Sequence, residues 1–140
     1  MKSFNLRVYG LWINSKKEIL LVEEEINNFL MRKFPGGGLE WGEGILDCLY
    51  REWREETGLP ILKHEHFYTT DFFQISAFNP SHQIISVYYL VQSPEDFAIH
   101  SPQTPMIKRF LWCPLRELQE SELTFPIDRV VLRKLKASGE

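Results

Sequence analysis

Cysteine is scarce, positive charge is not in excess, and no long apolar run occurs. The chain has 140 residues with two cysteines, Cys48 and Cys113, and neither they nor the four histidines form a cluster. Without CxxC spacing, neither a disulfide framework nor a structural zinc site is signalled, and a reducing cytoplasmic compartment is expected. No stretch approaches the roughly 18 apolar residues a spanning helix needs, and residues 1–13 lack a secretory leader pattern. No membrane partner is expected. With 16 Lys+Arg against 19 Asp+Glu the formal net charge is −3, and the pI is about 5.8. That balance withholds the broad positive field of a nonspecific nucleic-acid binder. What is present is 44% hydrophobic, 14% aromatic and 25% charged residues. This suits a globular chain with one core, and a single domain over residues 1–140 is expected.

Residues 4–13 read as a strand, and the turn Asn14-Ser15-Lys16-Lys17 followed by the apolar run 18–22 predicts a β-hairpin. Residues 23–28 are polar, and the short segment 29–34 runs into Pro35-Gly36-Gly37-Gly38, where helix and regular strand are both costly and a shaped loop is expected. Residues 43–57 predict a helix, stopped by Gly58 and Pro60. Two β-type runs, 64–78 and 83–92, predict a long antiparallel hairpin, followed by loop over 93–105, a short strand over 108–112 and a helical turn over 114–119. A terminal helix over 126–136 places Ile127, Val130, Val131 and Leu135 on one face. Strands, helix, strands, helix imply an α/β fold with a mixed sheet and helices on its faces.

On an ideal helix, Glu52, Glu55 and Glu56 fall within an arc of about 100°, beside an apolar stripe of Leu46, Leu49 and Trp53. Like charges at these spacings repel by a few tenths of a kcal/mol per pair, which a divalent cation would offset. An all-oxygen set suits Mg²⁺, with Mn²⁺ as a possible substitute. Arg51 can pair with Glu55 one turn on, and the amides of Gly36, Gly37 and Gly38 can face an anion at the helix start. A REWREE string alone is more often a solvated face laced to Arg51 and Arg54, and a triple glycine more often a turn. The wider spacing argues otherwise: Gly37, five residues, Glu43, seven residues, Arg51-Glu52, apolar Trp53, one residue, Glu55-Glu56, one residue, Gly58 and apolar Leu59.

That pattern resembles the box of the Nudix hydrolases, and RVYGLWI, KKEILLVEEE and FLWCPLREL resemble the family's other strands and late turn. The resemblance implies an α/β/α sandwich in which the box forms a loop-helix-loop. It also implies Mg-dependent hydrolysis of a nucleoside diphosphate linked to another moiety, releasing a nucleoside monophosphate. Carried over by position, Glu52, Glu55 and Glu56 would be metal ligands, Glu52 also a base, Gly37 and Gly38 the loop at the metal, and Arg51 with Glu43 a brace. Family members often recruit a further acid before the last strand. Residues 97–109 contain none, which leaves Glu52 as first choice of base, Glu95 or Asp96 as second and His100 as third. The intact glutamate set disfavours the alternative, a nucleotide-sensing module without turnover. Substrate-class marks are missing, since residues 71–76 contain neither Pro nor Tyr. The expected partner is a small nucleotide, and an oligomer is compatible.

Other residues carry weaker signals. Trp41 is placed either to stack on a base or sugar or to pack as a lid on its own loop. His64 and His66 alternate onto one strand face without a third ligand and are given no metal role. Phe72, Phe73, Tyr88 and Tyr89 are expected in core and cross-strand pairs. Lys33, Arg7 and Lys108 are within reach of phosphates from the sheet, although a solvated side chain is the usual outcome.

Overall fold

The computed structural model describes residues 1–96, 99 and 105–140. Its elements are β1 (Ser3–Trp12), β2 (Glu18–Ile26), β3 (Phe29–Lys33), β4 (Gly36–Gly38), α1 (Ile45–Thr57), β5 (Lys63–Thr69), β6 (His82–Gln92), β7 (Ile107–Pro114), a 3-10 turn (Glu120–Glu122) and α2 (Pro126–Ser138). Two sheets form: a four-stranded mixed sheet in the order β4-β1-β6-β5 and a three-stranded sheet in the order β3-β2-β7. β1 runs parallel to β6 and antiparallel to β4, while β2 is antiparallel to both neighbours.

Strand alternation assigns the layers. On β1, Val8 and Trp12 join Cys48, Leu49 and Trp53 of α1 in one apolar cluster, whereas Tyr9 and Leu11 join Ile127, Val131, Leu132 and Leu135 of α2 in the other. The helices therefore lie on opposite sides of a β layer. This is the expected α/β/α sandwich.

α1 starts where Gly44 takes an extended conformation and its N–H donates to Asp47 Oδ2 at 2.9 Å. It stops at Gly58, whose φ of +75° is left-handed and whose N–H donates to the Arg54 carbonyl at 2.9 Å.

Several local expectations are corrected. β1 and β2 are not a hairpin: they join different sheets and meet across their turn only at the bridge Ile13↔Ile19. Residues 23–26, read as polar connection, continue β2, because Glu23 lies in register with Arg32 and Arg109 and is neutralised across both neighbouring strands. The triple glycine is not purely loop: it pairs with Arg7, Val8 and Tyr9. The run 64–78 is strand only to Thr69. Beyond it Phe72 and Phe73 are exposed rather than core, with Ile75↔Gln83 the isolated bridge there. Leu46 is exposed too, its place in the helix stripe being taken by Cys48. The helical turn expected over 114–119 is realised as turn backbone, with the 3-10 turn following it.

Candidate active site

The glycine strand β4 and α1 face one another across a cavity of about 520 Å³. Gly36, Gly37 and Gly38 form one wall, Glu52, Glu55 and Glu56 a second, and Arg7, Glu24 and Lys33 from β1, β2 and β3 a third. Gly36 has φ +153°, and a Cβ there would stand 2.2 Å from the Val8 carbonyl oxygen, so no other residue fits. A Cβ on Gly37 would come within 2.5 Å of the Glu52 carboxylate and displace it. Gly37 thus has to lack a side chain for the Glu52 carboxylate of α1 to sit this close.

The three box carboxylates differ sharply in environment. Glu56 is 4% exposed; its Oε2 accepts the Gly36 N–H at 2.9 Å, and its Oε1 is buried with no hydrogen-bond partner among the described residues. Burial pushes its carboxyl up to about 8, against the opposing pull of Lys33. Glu52 is half-buried, and burial raises it as well, with Arg51 pulling the other way. Glu55 is largely exposed and takes a bond from Arg51 Nη1 at 3.2 Å.

Arg51 organises this wall. Its Nε and Nη2 grip Glu43 as a fork at 2.5 and 2.9 Å, its Nη1 reaches Glu52 at 3.0 Å, and its Nη2 also donates to the Gly38 carbonyl at 3.1 Å. The same fork holds the Glu43 carboxyl down at about 2.

Among the described residues, no three acidic, histidine or cysteine side chains converge closely enough to hold a metal ion as they stand. Glu52 and Glu55 instead each accept a bond from Arg51 Nη1, at 3.0 and 3.2 Å. The donor set nevertheless fits a hard divalent cation. It is all oxygen, and Glu56 Oε1 is a buried acceptor with no hydrogen-bond partner among the described residues.

The alternative bases lie elsewhere. Glu95 accepts the Ser15 N–H and hydroxyl at 3.1 and 2.9 Å in the turn after β1, and neither Glu95 nor Asp96 lines the cavity. His100 lies outside the described residues. Trp41 is fully exposed, so it does not pack as a lid on its own loop, and it does not line the cavity. His64 and His66 bond Tyr50 and Thr69.

The residue that sequence reading missed is Glu24. It was passed over within Glu23-Glu24-Glu25 as part of a polar connection, although alternation from Leu20 through Val22 puts it on the face turned toward α1. Lys33, opposite Val22, shares that face and is 5% exposed rather than solvated. Lys108 is largely exposed beside Glu25, as a surface lysine usually is.

Comparison with known proteins agrees with this architecture. The family model of the NUDIX domain matches residues 4–135. Nudix hydrolase 2 of Arabidopsis thaliana is 39% identical over 74 residues, which cover 51% of this chain and 23% of that protein, so the matched region is under a quarter of that relative's length. A NUDIX hydrolase from Nitrosomonas europaea superposes with a TM-score of 0.75 at 23% identity, covering 97% of this chain and 90% of the other. A MutT NUDIX hydrolase from Burkholderia pseudomallei superposes at 0.78 with 16% identity, covering 95% and 98%. The E. coli ORF135 protein does so at 0.74 with 21% identity, covering 97% and 91%. At these identities the structural likenesses establish the fold. With the family model spanning nearly the whole chain and the box residues gathered around one cavity, the chain belongs to the Nudix family of hydrolases.

Proposed function

We propose that this chain hydrolyses the diphosphate bond of a nucleoside diphosphate linked to a further moiety, such as a nucleoside triphosphate or nucleotide sugar, in a Mg²⁺-dependent reaction that releases a nucleoside monophosphate. The observation that carries this reading is the buried Oε1 of Glu56, without a hydrogen-bond partner among the described residues, in a cavity shared with Glu52 and Glu55. Those three glutamates would hold the cation, Mg²⁺ or in its place Mn²⁺. When bound, the cation supplies charge neutralisation at phosphate and a lowered water pKa.

The protein's own residues do the rest. Glu52 accepts the proton of the water that attacks phosphorus in line, its carboxylate lodged against Gly37 where no side chain intrudes. Arg51, fixed by Glu43, holds Glu52 in orientation. A second cavity of about 210 Å³ adjoins the first, sharing Arg7, Glu24 and Lys33 with it and walled by Met31, Phe78, Ile84, Tyr88 and Ile127. Its mostly apolar walls suit the ring system of the nucleoside.

The deciding experiment is a turnover screen over nucleoside triphosphates, dinucleotides and nucleotide sugars with Mg²⁺ and with chelator. Turnover that chelator abolishes is expected. Metal-independent turnover, or none across the panel, overturns the reading.

A further inference from the structure

Two cations stand where the carboxylate cavity meets the apolar one, and the box accounts for neither. Lys33 is almost fully buried, and desolvation pulls its pKa down, yet Tyr9, Glu24 and Glu56 together leave it raised. Its ammonium has Glu24 Oε1 at 3.4 Å and the Tyr9 ring centroid at 5.4 Å. Arg7, half-buried, donates from Nε to the Tyr9 hydroxyl at 2.6 Å, its guanidinium carbon 5.7 Å from the same ring. Tyr9 therefore braces both cations, whose mutual repulsion weakens the ammonium.

Such an arrangement is expensive as pure structure. Replacing a buried ion pair by apolar side chains of similar volume is often neutral or stabilising, so core packing does not require Lys33 and Glu24 to be charged. An ammonium has three donors, and a single ion pair at 3.4 Å leaves it under-used. A ligand spanning both cavities has to pass this junction, because Arg7, Glu24 and Lys33 line both.

We propose that Lys33 and Arg7 bind the phosphate group lying between the carboxylate cavity and the apolar cavity, and that Glu24 is the positioning residue that keeps the Lys33 ammonium at that junction. The inference rests on the reading of the cavity as a diphosphate site. Lys33 supplies a point charge and Arg7 a directional donor set, so the pair fits a tetrahedral oxyanion and is indifferent to the identity of the base. Glu24 reaches Lys33 diagonally from the adjacent strand, since Lys33 pairs in register with Val22. Neutralising Glu24 alone removes the carboxylate that anchors the ammonium.

The test uses the intact chain and inorganic pyrophosphate as probe, titrated calorimetrically at saturating Mg²⁺. The double variant Lys33→Met, Glu24→Gln removes both charges of the buried pair together and leaves no unpaired ion. It should fold and bind pyrophosphate at least about tenfold more weakly, the loss expected for a charge-assisted contact. Arg7→Gln, which spares the buried pair, should weaken pyrophosphate about fivefold by the same principle. Glu24→Gln should weaken it about threefold while Glu24→Asp restores it, a rescue that a merely structural role would not show. Mn²⁺ affinity, read from its electron paramagnetic resonance signal without pyrophosphate, should change less than about twofold in the double variant. Wild-type pyrophosphate affinity in both the folded double variant and Arg7→Gln overturns the proposal, as does a loss matched by an equal loss of Mn²⁺ affinity. The reading of the function fails separately, through the turnover screen of the wild type.

Discussion

The two helices are matched in length and both end on a left-handed glycine, yet each buries an acid on opposite terms. On α2, Asp128 is 3% exposed and partnered: Oδ1 accepts the Tyr88 hydroxyl at 2.5 Å, and the Phe34 backbone also favours the ionised form. On α1, Glu56 is similarly buried but incomplete, its Oε1 unpartnered among the described residues. Burial raises both, Asp128 to about 6 and Glu56 to about 8. A buried acid that the protein partners by itself, as Tyr88 partners Asp128 at the edge of the apolar cavity, needs no ligand to complete it. One left short of a partner beside a cavity is held for something that arrives.

That contrast breaks most visibly in activity. Glu56→Gln should abolish turnover while the fold survives, because it deletes a ligand and relieves crowding among like charges. A purified variant retaining even about a tenth of the wild-type rate would remove Glu56 from the site's working set. Next in size, Glu52→Gln should lower kcat by at least about a hundredfold, whereas Glu95→Gln and Asp96→Asn should each cost less than about fivefold. Steady-state kinetics on one substrate decides this. A large kcat loss at Glu95 or Asp96 with KM intact would move the proton acceptor to the segment after β6.

These expectations combine what the sequence made legible with what it did not. The box is a local pattern: the spacing of Gly37, Glu43, Arg51, Glu52, Glu55 and Glu56 needs only one turn of backbone and one helix to bring the groups together. The α/β/α layering was legible for a similar reason, since strand alternation and helix periodicity are short-range signals. Strand partnership is not. Nothing in residues 4–22 distinguishes a hairpin from two strands that leave for different sheets, because period-2 patterning reports the face and not the neighbour. Glu24 and Lys33 were hidden for a complementary reason. Each looks like solvated surface, and their pairing once buried is a fact of register between β2 and β3.

The structural acid should answer to stability measurements. Tyr88→Phe deletes the hydroxyl that completes Asp128 and leaves a buried carboxyl oxygen short of a donor. The expected cost is about 1–3 kcal/mol in urea unfolding. Glu56→Gln, whose wild-type acid already lacks a partner, should cost less. Equal losses at the two positions would erase the distinction between the completed and the waiting acid.

The smallest effect is also the most discriminating, and it lies in the pH dependence of metal-free stability. Both acids bind their proton more tightly in the folded chain than in the unfolded one, where Glu56 starts from 4.5 and Asp128 from 3.8. The native state therefore carries more protons over those intervals, and stability must fall as pH rises: from about 4 to about 6 on account of Asp128, and from about 4.5 to about 8 on account of Glu56. Glu43, depressed to about 2 by Arg51, acts with the opposite sign and only below its ordinary value of 4.5. Denaturant midpoints of the metal-free protein should decline between pH 6 and 8, and Glu56→Gln should flatten that interval while leaving a decline below pH 6 that Asp128→Asn reduces, the remainder falling to Glu52. Saturating Mg²⁺ selects the ionised glutamate, so in the wild type it should flatten or reverse the decline above pH 6 and leave the Asp128 interval unchanged. A Mg²⁺ effect confined to the range below pH 6 would tie the cation to the wrong acid and overturn the division of roles between the two helices.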